Sequence, residues 1–485
     1  MSARTPTFYW FDFETTGVDA RRDRPLQFAG LRTDMDLRPI EEPTVLYCRP
    51  PADVLPAPAA CAITGIGPVT AAERGVNEAE FAAAVLEELG RAGTCALGYN
   101  TLRFDDEVTR HLLWRNLYDP YGREWRNGNS RWDVIDIFRL AHALRPDGLE
   151  WPEREPGIPS FRLEDLAAAN NIEHDAHDAL ADVYATLELT RRLRAAQPKL
   201  FDYAFSHRDK RSAGDLLRLD ATEPVLHVSD KYPAARGAIA PVAALAPHPW
   251  IGNQVLVVDL ASDPTPLLEL DADALAERLF RPASERTDGE PPVPVKTVKL
   301  NAAPVLAPSG TLAPEAASRL GIDLDAARAT LTRLRGDAGL AWRLRAAFDR
   351  GASEPGDPDT ALYDGFVGDD DRARMDGVHR RDPESLAGFD PGFSDPRLRE
   401  MYFRYRARNW PDTLDADEQA RWQELRWWRL CRGEAGSPRS LAEFDAALAA
   451  DHASGLLDEA MHAELRAWRK RLLADLPACN DAADV

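Results

Sequence analysis

Cysteine, positive charge and long apolar runs are all in short supply in this chain. Its 485 residues include five cysteines, Cys48, Cys61, Cys95, Cys431 and Cys479, scattered without the paired spacings of a metal-ligand set. That pattern predicts a reducing, cytoplasmic setting, with neither a disulfide framework nor a cysteine zinc site. No apolar run approaches the roughly 20 residues of a membrane span, and the first residues lack the basic, apolar, small-residue succession of a secretory signal. The expectation is a chain without membrane association. Lys and Arg number 59 against 80 Asp and Glu, a formal net charge of -21. Such a balance argues against a protein that coats nucleic acid non-specifically. It leaves room for a nuclease, because acids can hold metal and a local basic groove can work inside an acidic chain. Internal repeats are also missing. What is present is an ordinary 44% of hydrophobic residues over a length that suits two to four domains.

Thr7 to Gly17 read TFYWFDFETTG. Five aromatics in seven positions suit a strand buried on both faces. Asp12 and Glu14 intrude, and because side chains two apart in a strand point the same way, both acids leave one face together. Two carboxylates side by side repel unless a proton or cation neutralises them, and a hard divalent cation takes oxygen ligands. Taken alone, the pair reads sooner as a strand end whose acids face water.

Strands are expected at Gln27–Thr33, Thr44–Cys48 and Thr94–Tyr99, and the opening strands as an antiparallel meander. Helices are expected at Asn77–Arg91, Phe104–Asn116, Trp132–Leu144, Phe161–Ala169 and from about Asp178 to Arg194. Pro50–Pro58 reads as a connection. This is an α/β layer. Gln197-Pro198 marks a boundary. From about Phe201 to Arg350 short β-like pieces alternate with turns ahead of a helical stretch, Glu315–Phe348, which suggests a small β-barrel carrying helices. Gly351–Pro358 is a linker. The rest reads as helical, with segments at Leu398–Arg408, Ala416–Leu430, Leu441–Ala449 and Glu459–Leu473.

Two further pieces of the first region complete the carboxylate pair. Asn100-Thr101-Leu102-Arg103-Phe104-Asp105 closes a strand and opens a helix. His177-Asp178-Ala179-Leu180-Ala181-Asp182 stands at the start of the last helix. Asp12, Glu14, Asp105 and Asp182 with His177 are the order of groups that two-metal phosphoryl transfer requires. A neutral imidazole suits removal of a proton from an attacking water. Residues five apart on a helix sit about 140° apart around it, so His177 belongs to the lead-in if Asp182 faces the site.

FDFETTG, NTLRFD and HDALAD are similar to the three motifs of the DEDDh superfamily of 3′→5′ exonucleases. Within it the chain resembles the bacterial exodeoxyribonuclease I family. DRPLQFAGLRTD, YDPYG, NSRWDVID, PSFRLEDL and, further on, LFDYAFSHR, PLLELDADALAERL and MYFRYRARNWPDTL carry that likeness over nearly the whole chain. The resemblance implies an α/β, RNase H-like exonuclease domain with a mixed sheet flanked by helices (residues 1–197), an SH3-like β-barrel domain (198–350) and a C-terminal helical domain (357–478). These domains would close over a channel for single-stranded DNA. The implied activity is removal of 5′-mononucleotides from a free 3′ end, in DNA repair and recombination, by a cytoplasmic monomer. Two Mg²⁺ ions, with Mn²⁺ able to substitute, would sit on Asp12, Glu14 and Asp182, with Asp105 completing the acidic set and His177 as general base.

The same resemblance implies that Arg162 contacts the phosphate near the scissile bond. Glu14, Arg110, Tyr121, Trp125, Arg139 and the backbone at Ala179 would line the strand path. Arginines neutralise phosphates and aromatic faces stack bases without reading sequence; Tyr121 and Trp125 are equally candidates for core packing. The run Phe403–Trp410 (FRYRARNW) is a second strand contact or a helix with cation–π pairs. A protein partner is implied too, the acidic C-terminal tail of single-stranded-DNA-binding protein, on Arg145 and Arg335. Departures are Glu223 and Ala313, where basic residues are expected, and Thr16, where that family carries an aromatic. Rival readings are an exoribonuclease on the same core, which the two later domains oppose, and an inactive DNA-binding adaptor, which the presence of all five motif residues opposes.

Overall fold

The computed structural model describes residues 5–173, 178–285, 289–351 and 356–479. They form two compact units, the first made of residues 5–131, 178–184 and 356–479, the second of residues 132–173, 185–285 and 289–351.

The first unit is built on a five-stranded sheet in the order β3-β2-β1-β4-β5. Its strands are β1 (Thr7–Thr15), β2 (Pro25–Thr33), β3 (Thr44–Tyr47), β4 (Thr94–Gly98) and β5 (Ser130–Asp133). β1 is central. It pairs antiparallel with β2, and β2 with β3, which is the expected meander; with β4 it runs parallel. Tyr9, Phe11 and Phe13 alternate onto one face and meet Phe28, Phe81, Val85, Leu89, Val108 and Leu112. The helices Glu78–Gly90 and Asp105–Arg115 therefore cover that face. Phe8, Trp10, Asp12 and Glu14 belong to the other. Pairing with β4 runs from Thr7 to Trp10, so the two acids follow beyond it, at the carboxyl end of the parallel pair.

Thr16 has a structural role. Its hydroxyl donates to Asp23 Oδ1 (3.1 Å) and accepts from the Arg24 amide (2.9 Å), and Arg439 Nη2 donates to the same Asp23 oxygen (2.9 Å). A Cβ on Gly17 would come within 2.4 Å of the Asp23 carboxylate, which explains the glycine after the two threonines. The expected helix Trp132–Leu144 is instead strand β5 followed by a helix Ile135–Leu144. Helices Pro58–Thr64 and Pro68–Arg74 occupy a stretch with no helical signal beyond proline at the first turn.

In the C-terminal part of this unit, helices Asp369–His379, Pro396–Asn409, Ala416–Trp427, Leu441–Ala453 and Glu459–Leu473 pack around Met375, Leu398, Met401, Phe444, Leu465 and Trp468. The arginines of FRYRARNW point inward. Arg404 pairs with Asp357 (2.7 Å), Arg406 with Glu418 (2.7 Å), and Arg408 with Asp53 (2.8 Å) and Asp359 (2.5 Å). Arg24 and Arg429 also reach Asp359, at 2.9 and 3.3 Å. Burial works against the ionised form of Asp359, but Arg408, Arg404, Arg24 and Arg429 outweigh it and hold the carboxyl well below its usual range. This run is an internal ionic lattice, with its charges already matched, and not a strand contact.

The cysteine expectation is corrected here. Cys431 and Cys479 form a disulfide with Cα atoms 5.3 Å apart. Forty-eight residues separate them, and only the fold-back of the helices Leu441–Ala453 and Glu459–Leu473 brings them together. Cys48, Cys61 and Cys95 are buried and take no part in that disulfide.

The second unit carries the helix Ile135–Leu144, a hairpin of β6 (Glu153–Glu155) and β7 (Ile158–Pro159), and the helix Leu163–Ala169. Helices Pro198–Ser206 and Lys210–Leu216 come where β-like texture was expected from Phe201. An antiparallel sheet then follows in the order β11-β10-β9-β8-β12, from β8 (Val225–Val228), β9 (Ile239–Pro247), β10 (Gln254–Asp259), β11 (Val295–Lys299) and β12 (Leu306–Pro308). Among the described residues no pairing joins β11 to β12, so the sheet is SH3-like in size but not a closed barrel. Glu315–Phe348 is three helices, Pro314–Leu320, Leu324–Arg335 and Leu340–Ala347. The first ends at Gly321, whose φ of 63° is left-handed.

Candidate active site

The site begins at the end of β1. Asp12 is partly buried and Glu14 only 7% exposed, opposite Ala29 and Gln27 of β2. A register irregularity at Glu14/Thr15 ends the regular pairing. Asp105, the first residue of its helix, accepts a hydrogen bond from the Phe13 amide at Oδ1 (3.0 Å). The backbone amide between the two acids is thereby tied to a third. Thr109 donates to the Asp105 carbonyl (2.7 Å). Asp182 lies in the first turn of the helix Ala179–Ala196. One oxygen each from Asp12, Glu14 and Asp182 falls within 4.8 Å of the others. Three of the four acids expected from sequence therefore converge, and the fourth braces the strand.

The electrostatics follow from that crowding. Burial, then Asp105, Glu14, Asp182 and Asp178, push the Asp12 carboxyl well above the ordinary carboxylate range. Burial, then Asp182, Asp105 and Asp178, push Glu14 up to about 9. A cluster of this kind holds its charge only against protons or cations. The donor set is all oxygen, which fits a hard divalent cation. Asp178 is the participant that motif reasoning passed over. It is exposed and accepts the Ala181 amide (3.0 Å), so its sequence signal is a helix-capping aspartate just ahead of Asp182. His177 lies outside the described residues.

The remaining sequence candidates fall in varied settings. In the first unit, Ala179 is fully buried and Trp125 is 64% exposed with Arg126 over its ring. Tyr121 is half-buried against the aromatic cluster of Tyr402 and Tyr405. Arg110 is paired to Glu107 (2.6 Å) and Glu124 (2.7 Å), so its charge is already matched. In the second unit, Arg162 is exposed and pairs with Glu164 (2.6 Å), while Arg139 is buried beside Asp136 (2.6 Å). Arg145 is exposed, and its guanidinium donates to the Thr311 carbonyl (3.3 Å). Arg335 donates to that of Leu219 (3.0 Å). Glu223 pairs with Arg328 (2.9 Å), and Ala313 precedes the helix Pro314–Leu320 without a side-chain cap.

Three family models match the chain: an exonuclease model over residues 9–190, an exonuclease I SH3-like domain over 208–350 and an exonuclease I C-terminal domain over 356–472. Exodeoxyribonuclease I of Escherichia coli K12 is 48% identical over 425 residues, covering 87% of this chain and 89% of that protein. Among solved structures, a moderately thermophilic exonuclease I from Methylocaldum szegediense superposes with a TM-score of 0.92 at 51% identity, over 96% of this chain and 100% of that one. The zinc-ion-bound form of the E. coli exonuclease I–single-stranded DNA complex gives 0.91 at 43% identity, over 97% and 100%.

Proposed function

The chain belongs to the exodeoxyribonuclease I family, and from that premise we propose that it hydrolyses single-stranded DNA from the 3′ end, releasing 5′-mononucleotides, in DNA repair and recombination. The observation that carries the reading is the convergence of Asp12, Glu14 and Asp182 at the end of β1, with Asp105 tied to the Phe13 amide between them. In this reading Asp12, Glu14 and Asp182 hold two divalent cations, Mg²⁺ with Mn²⁺ able to substitute. Such ions, when bound, stabilise charge on the attacking and leaving oxygens of an in-line displacement.

The chain's own residues do the rest. Aromatic packing beneath β1 keeps the backbone of Asp12 and Glu14 rigid, and the Asp105–Phe13 bond fixes the spacing between that strand and the helix behind it. His177 takes the proton from the attacking water. Arg162 neutralises the phosphate beside the scissile bond, and the exposed Trp125 stacks a base; Tyr121, Arg139 and the Ala179 backbone are further contacts on the strand path. The pairing of Arg110 with Glu107 and Glu124 favours a bracing role for that residue over a phosphate contact.

The division into a nuclease domain (1–197), an SH3-like domain (198–350) and a helical domain (357–478) is part of the proposal, supported by the ranges of the three family models. So are a monomeric state, a cytoplasmic setting and docking of the acidic tail of single-stranded-DNA-binding protein at Arg145 and Arg335. No helix among the described residues is long and apolar enough to cross a membrane. The test is release of label from 3′-labelled single-stranded and duplex DNA in Mg²⁺, with Asp12→Ala as the control. Fast release from the single strand alone, lost in the variant, is expected; equal rates on both substrates, or an active variant, would sink the proposal.

A further inference from the structure

A second cluster of metal-ligating side chains stands apart from the carboxylates of the active site and shares no residue with them. His452 lies in the last turn of the helix Leu441–Ala453, and Glu459 and His462 occupy the first turn of the next helix, Glu459–Leu473. The turn between them is tightly made. The amides of Leu456 and Leu457 donate to the Asp451 carbonyl (3.0 and 3.2 Å), Gly455 takes a φ of 80°, and Asp458 caps the second helix through the Met461 amide (2.7 Å). Leu441, Phe444, Leu448, Leu457, Leu465 and Trp468 then hold the two helices together. The backbone thus presents three side chains at one end of a helical hairpin. Glu459 and His462 are three apart, hence neighbours on one helical face, in the Glu-x-x-His spacing that helical metal sites use.

The three groups meet. His452 Nε2 lies 3.2 Å from Glu459 Oε1, the two imidazoles stack with centroids 4.0 Å apart, and one donor atom from each residue falls within 4.8 Å of the others. Asp458 is engaged as the helix cap, so it does not compete for the cluster. Two imidazoles and one carboxylate are a borderline-soft set, the kind that selects Zn²⁺ over Mg²⁺. Three protein ligands and an open fourth position suit a tetrahedral ion with metal–nitrogen distances of about 2.0–2.1 Å. The donor atoms must draw closer than the 4.8 Å within which they lie, and the exposure of the side chains, 35% for His452 and 88% for Glu459, leaves them room to turn inward.

We propose that His452, Glu459 and His462 form a Zn²⁺ site that clips the two C-terminal helices together. The chain then sorts metals by donor chemistry, a hard cation on the oxygen cluster and a softer one on the hairpin. The clip works at the turn of the same hairpin whose far end is tied back by Cys431–Cys479.

The test is equilibrium dialysis of the full-length protein against micromolar ZnCl₂ with millimolar MgCl₂ present to occupy the carboxylate cluster. Visible absorption after Co²⁺ substitution reports four-coordinate geometry. One Zn²⁺ per chain is expected, retained in Asp12→Ala. Affinity should fall more than about 100-fold in His452→Ala/His462→Ala, beyond the range typical of outer-shell changes, and about tenfold in Glu459→Gln, which is too exposed to disturb folding. Hydrolysis of single-stranded DNA in Mg²⁺ should be unchanged in both hairpin variants, which separates failure of this site from failure of the active-site reading. Equal Zn²⁺ uptake by wild type and the double-histidine variant, or no uptake by Asp12→Ala, overturns the proposal.

Discussion

Replacing Glu14 by Gln should stabilise the metal-free protein while abolishing hydrolysis. In the folded chain Glu14 is pushed up to about 9 from an ordinary value of 4.5, by burial first and by Asp182, Asp105 and Asp178 after it. The native state therefore binds a proton that the unfolded chain has released. Stability from this group is fully present below pH 4.5 and is lost as pH rises toward 9. At pH 7 the loss spans about 2.5 pH units above the unfolded value, and at 1.36 kcal/mol per unit it amounts to about 3 kcal/mol. Glutamine keeps the shape and never ionises, so it escapes that loss. For a unit of this size about 3 kcal/mol corresponds to a midpoint about 5 °C higher. The assay is thermal unfolding in EDTA, wild type against Glu14→Gln, at pH 4, 7 and 9. The two proteins should coincide at pH 4 and separate progressively toward pH 9. Adding MgCl₂ should narrow the gap by raising the wild type alone. A variant no more stable than wild type at pH 7, or a difference that ignores pH, refutes the account of the site as a cluster of mutually repelling acids.

Asp359→Ala removes the acceptor shared by Arg24, Arg408 and Arg429 and leaves the buried cluster one negative charge short, with only Asp53 and Glu78 still beside those three guanidinium groups; a loss of about 3–5 kcal/mol is expected in chemical denaturation of the first unit. Cys479→Ser opens a 48-residue loop and should lower stability by up to about 4 kcal/mol, and a reducing agent should produce the same shift in wild type but none in the variant. Trp125→Ala should weaken binding of a short single-stranded oligonucleotide by about 1–3 kcal/mol, measured by fluorescence anisotropy, with the thermal midpoint unchanged because the ring is exposed. An unchanged affinity would assign Trp125 to the surface and take it off the strand path.

Arg404, Arg406 and Arg408 mark the limit of what can be read along the chain. Interleaved with aromatics, they suit a nucleic-acid surface as well as they suit a core, and the deciding carboxylates, Asp53, Asp357, Asp359 and Glu418, lie up to 355 residues away. Cys431 and Cys479 make the same point, since nothing local announces a partner that arrives only when a hairpin folds back. His452, Glu459 and His462 passed without remark for a related reason: two helices had to be set side by side before their side chains met.

What the amino-acid sequence determined by itself was whatever has a local period or a fixed spacing. The aromatic alternation of β1, the antiparallel meander, the helices around Phe81 and Leu112, and the order Asp12, Glu14, Asp105, Asp182 are all visible because strand and helix geometry repeat over a few residues. The tertiary structure alone decided which charges are matched inside and which remain for chemistry. Packing sets those pairings through space and without regard to distance along the chain. It matched the arginines of the C-terminal helices with buried acids. At the end of β1 it gathered acids that, once buried, push one another's carboxyls up, and a cation relieves that repulsion.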